Sequence, residues 1–384
     1  MKKSYQTKIL FGVLLVALFA SCRKDDPVLP PEVIPVTPQP VTTIEGFYLL
    51  NEGNMGSNMS TLDYYDYASG TYTKNIYANA NPGAVKELGD VGNDLGVYGS
   101  KLYAIINVSN KLEIMDAATA KRIKTLTIKN CRYVIFNNGK AYVSAYDGDV
   151  VLGPGSPNGF VAEIDTATLE ITRTVAVGRQ PEQMTIVGNK LYIANSGGYS
   201  PPDYERTVSV IDLNTFNVVK NIDVGINLHL MNTDSDGDIY VSSRGDYFNT
   251  PANYYVIDTK TDVVKKAFNM AVSGCAIVGD TAYVYGSEWS YTSGGWDITY
   301  NMINTKTETV LNKSFITDGT QAGIDMPYSL AVDPYSRNIY IADAKDYVSS
   351  GLVHGYKKEG KRQFSVIAGN IPGHFAFKYK TVLK

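Results

Sequence analysis

The chain has 384 residues, with 35 Lys and Arg against 38 Asp and Glu and a formal net charge of −3 at neutral pH. Tyrosine is abundant at 29 residues, against 12 Phe, 2 Trp, 3 His and 3 Cys. A mildly acidic chain without clustered Lys and Arg excludes a grip on a nucleic-acid backbone, and so few Cys and His leave no zinc-like spacing.

At the N-terminus, Lys2, Lys3 and Lys8 precede an apolar run, Ile9–Ala20, too short for a permanent membrane span. This is a processing signal. Small residues before a cysteine, in Leu18-Phe19-Ala20-Ser21-Cys22, resemble a bacterial lipoprotein lipobox, although Phe19 departs from its usual pattern. The resemblance implies a signal peptide over residues 1–21, lipidation of Cys22 and an anchor in outer-membrane lipid; the alternative is an ordinary secretory signal with an incidental cysteine. Arg23-Lys24-Asp25-Asp26 resembles the surface-export signal of Bacteroidetes lipoproteins, the alternative being a solvated charge cluster. Six prolines between Pro27 and Pro40 make residues 22–44 a Pro-rich tether, lipidated at Cys22 if the lipobox resemblance holds. In polyproline geometry it would hold the rest of the chain on the order of 50 Å from the anchor. Removing residues 1–21 takes away three lysines and no acid, so the charge moves from −3 to −6.

Seven copies of one phrase come next, each a turn, an apolar run with a tyrosine, and a small polar ending. They read GFYLLNEG at Tyr48, GSKLYAIIN at Tyr103, NGKAYVSAY at Tyr142 and GNKLYIANS at Tyr192. DGDIYVSSR at Tyr240, GDTAYVYGS at Tyr283 and SRNIYIADA at Tyr340 complete the set. The tyrosines lie 39 to 57 residues apart, the spacing of propeller blades rather than of helical solenoids. Each phrase has a companion run ending in Asp and a turn, clearest in TVSVIDLNTFNVVKNIDVG at Asp212 and repeated near Asp66, Asp116, Asp165, Asp258 and Asn304. A short strand precedes most phrases: PEQMTIV from Pro181, GCAIV from Gly274, PYSLAV from Pro327. Period-two alternation bounded by Asp, Asn and Gly predicts four antiparallel strands per repeat. The first repeat lacks its leading strand, and PGHFAFKYK from Pro372 is a spare one. Residues 372–379 are therefore expected to complete blade one and close the ring without a long open edge. The fold class is all-β: a seven-bladed β-propeller over residues 45–384.

One face of such a ring carries tight hairpins, Asn138-Gly139, Gly188-Asn189 and Gly279-Asp280. The acidic run Asp234–Asp238 falls there and resembles the start of a calcium loop, but Ile239 and Gly245 stand where the turn glycine and bidentate Glu belong. No metal is expected. The opposite face is expected to bind. Its loops between second and third strands hold Asn51, Glu52, Asn54, Tyr146, Asn195, Tyr199 and Arg206, then Arg244, Tyr247, Phe248, Glu288, Trp289, Asp343 and Tyr347. The links between blades add Arg132, Tyr133, Gln183, His229, Tyr328 and His374. Aromatic rings in exposed Gly-rich loops are costly unless they cover something; the alternative is that they pack on neighbouring loops.

No nucleophile motif appears, and no catalytic residue is expected. The carboxylates Glu52, Asp147, Asp246, Glu288 and Asp343 could pair across the opening as a glycosidase acid and nucleophile, but acids at a channel mouth also occur without catalysis. Cys131 and Cys275 fall in inner strands of blades three and six and read as separate buried thiols.

LYIANS and TVSVIDLNTFNVVKNIDVG closely resemble YncE-like propellers, over nearly all of residues 46–380. With the lipobox, Lys24-Asp25-Asp26 and the tyrosine-rich face, the chain resembles the surface propeller lipoproteins of Bacteroidetes, of which the BtuG type captures cobalamin and passes it to a TonB-dependent outer-membrane transporter. The resemblance implies a corrinoid (vitamin B12) as ligand rather than catalytic cofactor, and that transporter as partner. It implies no enzyme activity. His229 or His374 as an axial cobalt ligand stands against a plain hydrogen-bonding role for both. A surface glycan- or protein-binding adhesin is the second reading, and a propeller hydrolase or lyase the third.

Overall fold

Alternating apolar and polar residues bounded by Asp, Asn and Gly do build strands, and they assort into seven sheets of four antiparallel strands. The computed structural model describes residues 40–83, 87–150, 152–153, 155–290 and 292–383. The unit that carries the blades is Thr42–Thr381; the other is made of the chain ends, Met1–Val41 and Val382–Lys384. The expected signal peptide, Cys22 and nearly all of the tether lie outside the described residues.

The inner strands of blades two to seven are Gly92–Tyr98, Cys131–Asn137, Pro181–Val187, Leu228–Thr233, Gly274–Val278 and Pro327–Val332. In blade one the inner strand is the C-terminal Pro372–Leu383, laid beside the first strand of the chain, Pro40–Asn51. The ring closes as the sequence requires, and the first strand's open edge is covered. Helix is confined, among the described residues, to Ile76–Ala80 and a 3-10 turn at Thr320–Gly323.

The seven repeat tyrosines are all buried, and most reach across to the next blade. Tyr48 donates to the Ala117 carbonyl of blade two, Tyr192 to Asp262 of blade five at 2.8 Å, and Tyr240 to Thr305 of blade six at 3.2 Å. Tyr142 packs on Phe216 of blade four, and Tyr340 of blade seven packs on Phe47 of blade one. Tyr48, Tyr192 and Tyr240 thus fill the gap between two sheets with their rings and satisfy a neighbouring turn with their hydroxyls. The core is accordingly a series of clusters between neighbouring blades, such as Tyr103, Ile105 and Leu112 against Ala141, Val143 and Ile164.

The companion Asp residues serve the outer hairpins. Asp116, Asp165 and Asp212 each accept two backbone N–H groups of the turn that follows. That is the Asx-turn chemistry for which Asp is chosen. The Asp234–Asp238 run closes its own hairpin the same way, and Lys306 and Lys265 pair with Asp236 and Asp238. Cys131 and Cys275 are free thiols, pushed up to about 12 by burial.

Candidate functional site

Five inner strands begin from a non-glycine residue in the left-handed region: Ile371, Val91, Asn130, Gln180 and Asn227, with φ from 48 to 58°. Left-handed backbone costs an L-residue roughly 1–2 kcal/mol. All five share one hydrogen bond, the carbonyl accepting the N–H of the residue just past the same blade's second strand: Glu52, Asn107, Tyr146, Ser196 and Arg244 respectively. In blades two to five the register then shifts, between Gly92 and Asp94, Cys131 and Tyr133, Pro181 and Met184, and Leu228 and Met231, and blade seven shifts likewise between Pro327 and Ser329. Bulges of this kind re-aim side chains. They place two sets of side chains at the mouth of the central opening: one from the bulges, one from the ends of the second strands.

Glu182 is the hub of one half. It is 2% exposed. Arg132 grips its Oε2 through Nη2 at 3.0 Å and Nε at 3.3 Å, while Oε1 accepts from Tyr146 at 2.8 Å and Ser196 at 3.3 Å. Arg132 also reaches Asn93 Oδ1 at 2.5 Å, and its guanidinium lies over the rings of Tyr133 and Tyr146. In the other half, His374 lies between two carboxylates, with Nε2 3.2 Å from Glu52 and Nδ1 3.6 Å from Asp94. Tyr328 donates to the second oxygen of Glu52 at 3.0 Å. The halves meet at Tyr133, whose hydroxyl shares a hydrogen bond with His229 Nε2 at 2.9 Å and whose ring faces that of His374.

Electrostatics sharpen this division. Burial, then the positive charges of Arg244, Arg132 and His374, hold His229 well below the usual imidazole range, so it is neutral. Burial works against the Arg132 charge, but Glu182 more than restores it and the pKa rises well above the ordinary value. Burial raises Asp94 despite the pull of His374. The same desolvation lifts the phenols of Tyr133, Tyr146 and Tyr328.

Around the mouth stands an apolar rim. Phe248 is 85% exposed, Leu152 77% and Tyr247 58%, with Met55, Met59, Tyr199 and Val348 also exposed. Two of these loops share a device. Asp246 accepts the N–H groups of Phe248, Asn249 and Thr250, Asp346 those of Val348 and Ser349, and the intervening Tyr247 and Tyr347 are left-handed at φ 65 and 63°. Tyr347 stacks edge-on with Tyr328 and receives Asn54 on its carbonyl at 2.5 Å.

Blade six differs. Residues 286–290 and 295–296, expected in a loop, are instead ladder: strands Thr281–Ser290 and Gly295–Asn304 pair out to Ser290 and Gly295. Trp289 stands opposite Trp296 at 5.7 Å, and Glu288 opposite Asp297. Cross-strand aromatic pairing carries the strands past the Gly/Ser composition that reads as loop.

Several residues expected on the face lie elsewhere. Asn51 and Asn195 are wholly buried and bind their own blades, Asn51 through Thr61 and Asp63, Asn195 through Thr207 and Ser209. Each ends a strand rather than beginning a loop, and alternation turns it inward. Asp343 is also wholly buried, accepting the N–H groups of Asp325, Met326 and Lys345. These three cannot touch a ligand on the face. Arg206 is spent on Asp223, and Gln183 accepts the Met231 N–H of the next blade. Glu182, Asn93, Asp94 and Ser196 join the network without having been expected. Glu182 and Asn93 occupy the position of Arg132, two past the left-handed residue, so aligning the repeats through their bulges would have found them.

Comparison with known proteins agrees with this architecture. No curated protein matches the chain. Among solved structures, hydrazine synthase of Kuenenia stuttgartiensis is 14% identical with a TM-score of 0.58, over 76% of this chain and 95% of the other. A quinonprotein alcohol dehydrogenase-like protein of Bacteroides thetaiotaomicron is 18% identical with a TM-score of 0.58, over 87% and 78%. A functionally unknown protein of Desulfotomaculum acetoxidans is 11% identical with a TM-score of 0.57, over 87% and 98%. Likeness at these identities concerns the fold alone. The family description DUF5074, a domain of unknown function, matches residues 45–371, and the chain belongs to that family.

Proposed function

We propose that this protein is a cell-surface lipoprotein, anchored through Cys22, that captures a corrinoid over the decorated face and hands it to a TonB-dependent outer-membrane transporter. The observation that carries the reading is a polar mouth, fixed by bulges and left-handed turns, inside a rim of exposed aromatic and aliphatic side chains. A corrinoid is a broad disc with an apolar rim and many amide arms. Tyr247, Phe248 and Trp289 offer apolar cover, and Arg244, His374 and Tyr328 offer donors and acceptors for amides. A rigid face loses little entropy on binding, so affinity needs no chemistry. Turnover is not part of the proposal: Glu52 is engaged with His374 and Tyr328, Asp246 caps a turn and Glu288 stands on the projecting hairpin.

The test is red colour retained by the protein through gel filtration after mixing with cyanocobalamin. Colour should co-elute with wild type and be lost when Tyr247 and Trp289 are both replaced by Ala; colourless protein refutes the proposal. The Trp289–Trp296 pair above the face favours a second reading, a surface adhesin for glycan or protein. A colourless protein that binds a glycan array would establish that instead.

A further inference from the structure

The half of the mouth around Glu182 holds one cation more than it can pair. Both Glu182 oxygens are occupied, by Arg132 on one side and by Tyr146 and Ser196 on the other. Arg244, from the next blade, comes only to 3.9 Å of the same carboxylate, with its side chain 32% exposed. Among the described residues its guanidinium makes no hydrogen bond. The backbone that carries it is nevertheless fixed, because the main-chain N–H of Arg244 donates to the carbonyl of left-handed Asn227 at 3.0 Å. A guanidinium presents five N–H donors in a flat fork that fits a carboxylate or phosphate. Its neighbours supply no second anion: Tyr133 and Tyr146 are protonated phenols, and the His229 imidazole is neutral. Among the described residues, nothing else in the ring combines placement at the mouth, a fixed backbone and unused donors.

We propose that Arg244 anchors an oxyanion subsite in the mouth, taking a singly charged phosphodiester or carboxylate of the ligand. The inference rests on the reading that this face binds a ligand; for a corrinoid it sets the nucleotide arm, which bears a phosphodiester, against blades four and five. The experiment is calorimetry on the full mature chain with cyanocobalamin and with cobinamide, which lacks that arm. Wild type should prefer cyanocobalamin by about tenfold or more. Arg244→Gln should remove the preference by loosening cyanocobalamin alone, and Arg244→Lys should restore part of it. Both variants should keep the wild-type circular dichroism, since Arg244 lies outside the core. Equal loosening of both ligands, or an unchanged preference, overturns the subsite while leaving corrinoid capture intact. A second probe does not depend on corrinoid: inorganic phosphate and acetate at matched ionic strength, read as a shift in the thermal midpoint. Stabilisation by either in wild type and not in Arg244→Gln supports the subsite even if no corrinoid binds, and the stronger anion names the group. If neither anion nor corrinoid binding depends on Arg244, the subsite is refuted.

Discussion

Glu182 lies 3.0 Å from Arg132 and accepts from Tyr146 and Ser196 while almost excluded from water. Removing one partner of such a pair strands the other charge, at about 3–5 kcal/mol. Glu182→Gln should therefore lower the denaturant midpoint substantially, whereas Glu288→Gln on the exposed hairpin should leave it within error. His229 gives a pH signature. Its folded pKa lies well below the ordinary 6.5, so the unfolded chain takes the proton first. Its contribution to stability is complete above about pH 6.5 and is lost as pH falls below it, by up to about 1.4 kcal/mol per unit. Denaturant titrations at pH 7 and 5 should show that loss in wild type and a smaller one in His229→Gln. Tyr247 separates fold from function. Glycine at its left-handed position relieves backbone strain and offsets the chain entropy glycine adds, so Tyr247→Gly should melt at or slightly above wild type while binding corrinoid more weakly. Individual side chains are the least legible part of the sequence. Asn51, Asn195 and Asp343 look like loop residues until the strand register turns them inward. Glu182 is hidden beside Gln183, because a bulge of one residue decides which of the two faces the mouth.

Strands and their connections are far more legible. The spacing of Tyr48 to Tyr340, the Asp turns and the spare strand from Pro372 identify the blades and their closure, because every repeat tyrosine is buried and the Asp residues at 116, 165 and 212 cap equivalent hairpins. The blade-six hairpin is not visible, since Ser and Gly dominate its composition and only cross-strand pairing of Trp289 with Trp296 extends the ladder. Replacing residues 288–297 by a two-residue turn should leave the melting temperature nearly unchanged, because Glu288, Trp289, Trp296 and Asp297 are exposed, and should reduce corrinoid affinity. Truncation before Pro372 should have the opposite balance. Blade one would lose its inner strand and expose Phe47 and Leu49, now fully buried. Loss of the cooperative melt, with aggregation on gel filtration, is expected; a soluble truncated monomer would show that the closing strand is dispensable.

At the scale of the whole molecule, the ring gives a rigid frame whose two faces are treated differently. On one, short hairpins such as Asn138-Gly139 turn with both residues left-handed and little else. On the other, the left-handed residues that open five inner strands, the bulges of those strands and long loops with exposed aromatic rings surround one opening. The most direct measurement is calorimetric titration of the mature protein with cyanocobalamin. Corrinoid capture predicts one-to-one binding with submicromolar Kd, weakened by Arg244→Gln and by Tyr247→Gly. Absence of heat and of binding at tens of micromolar, with the protein folded, would contradict it.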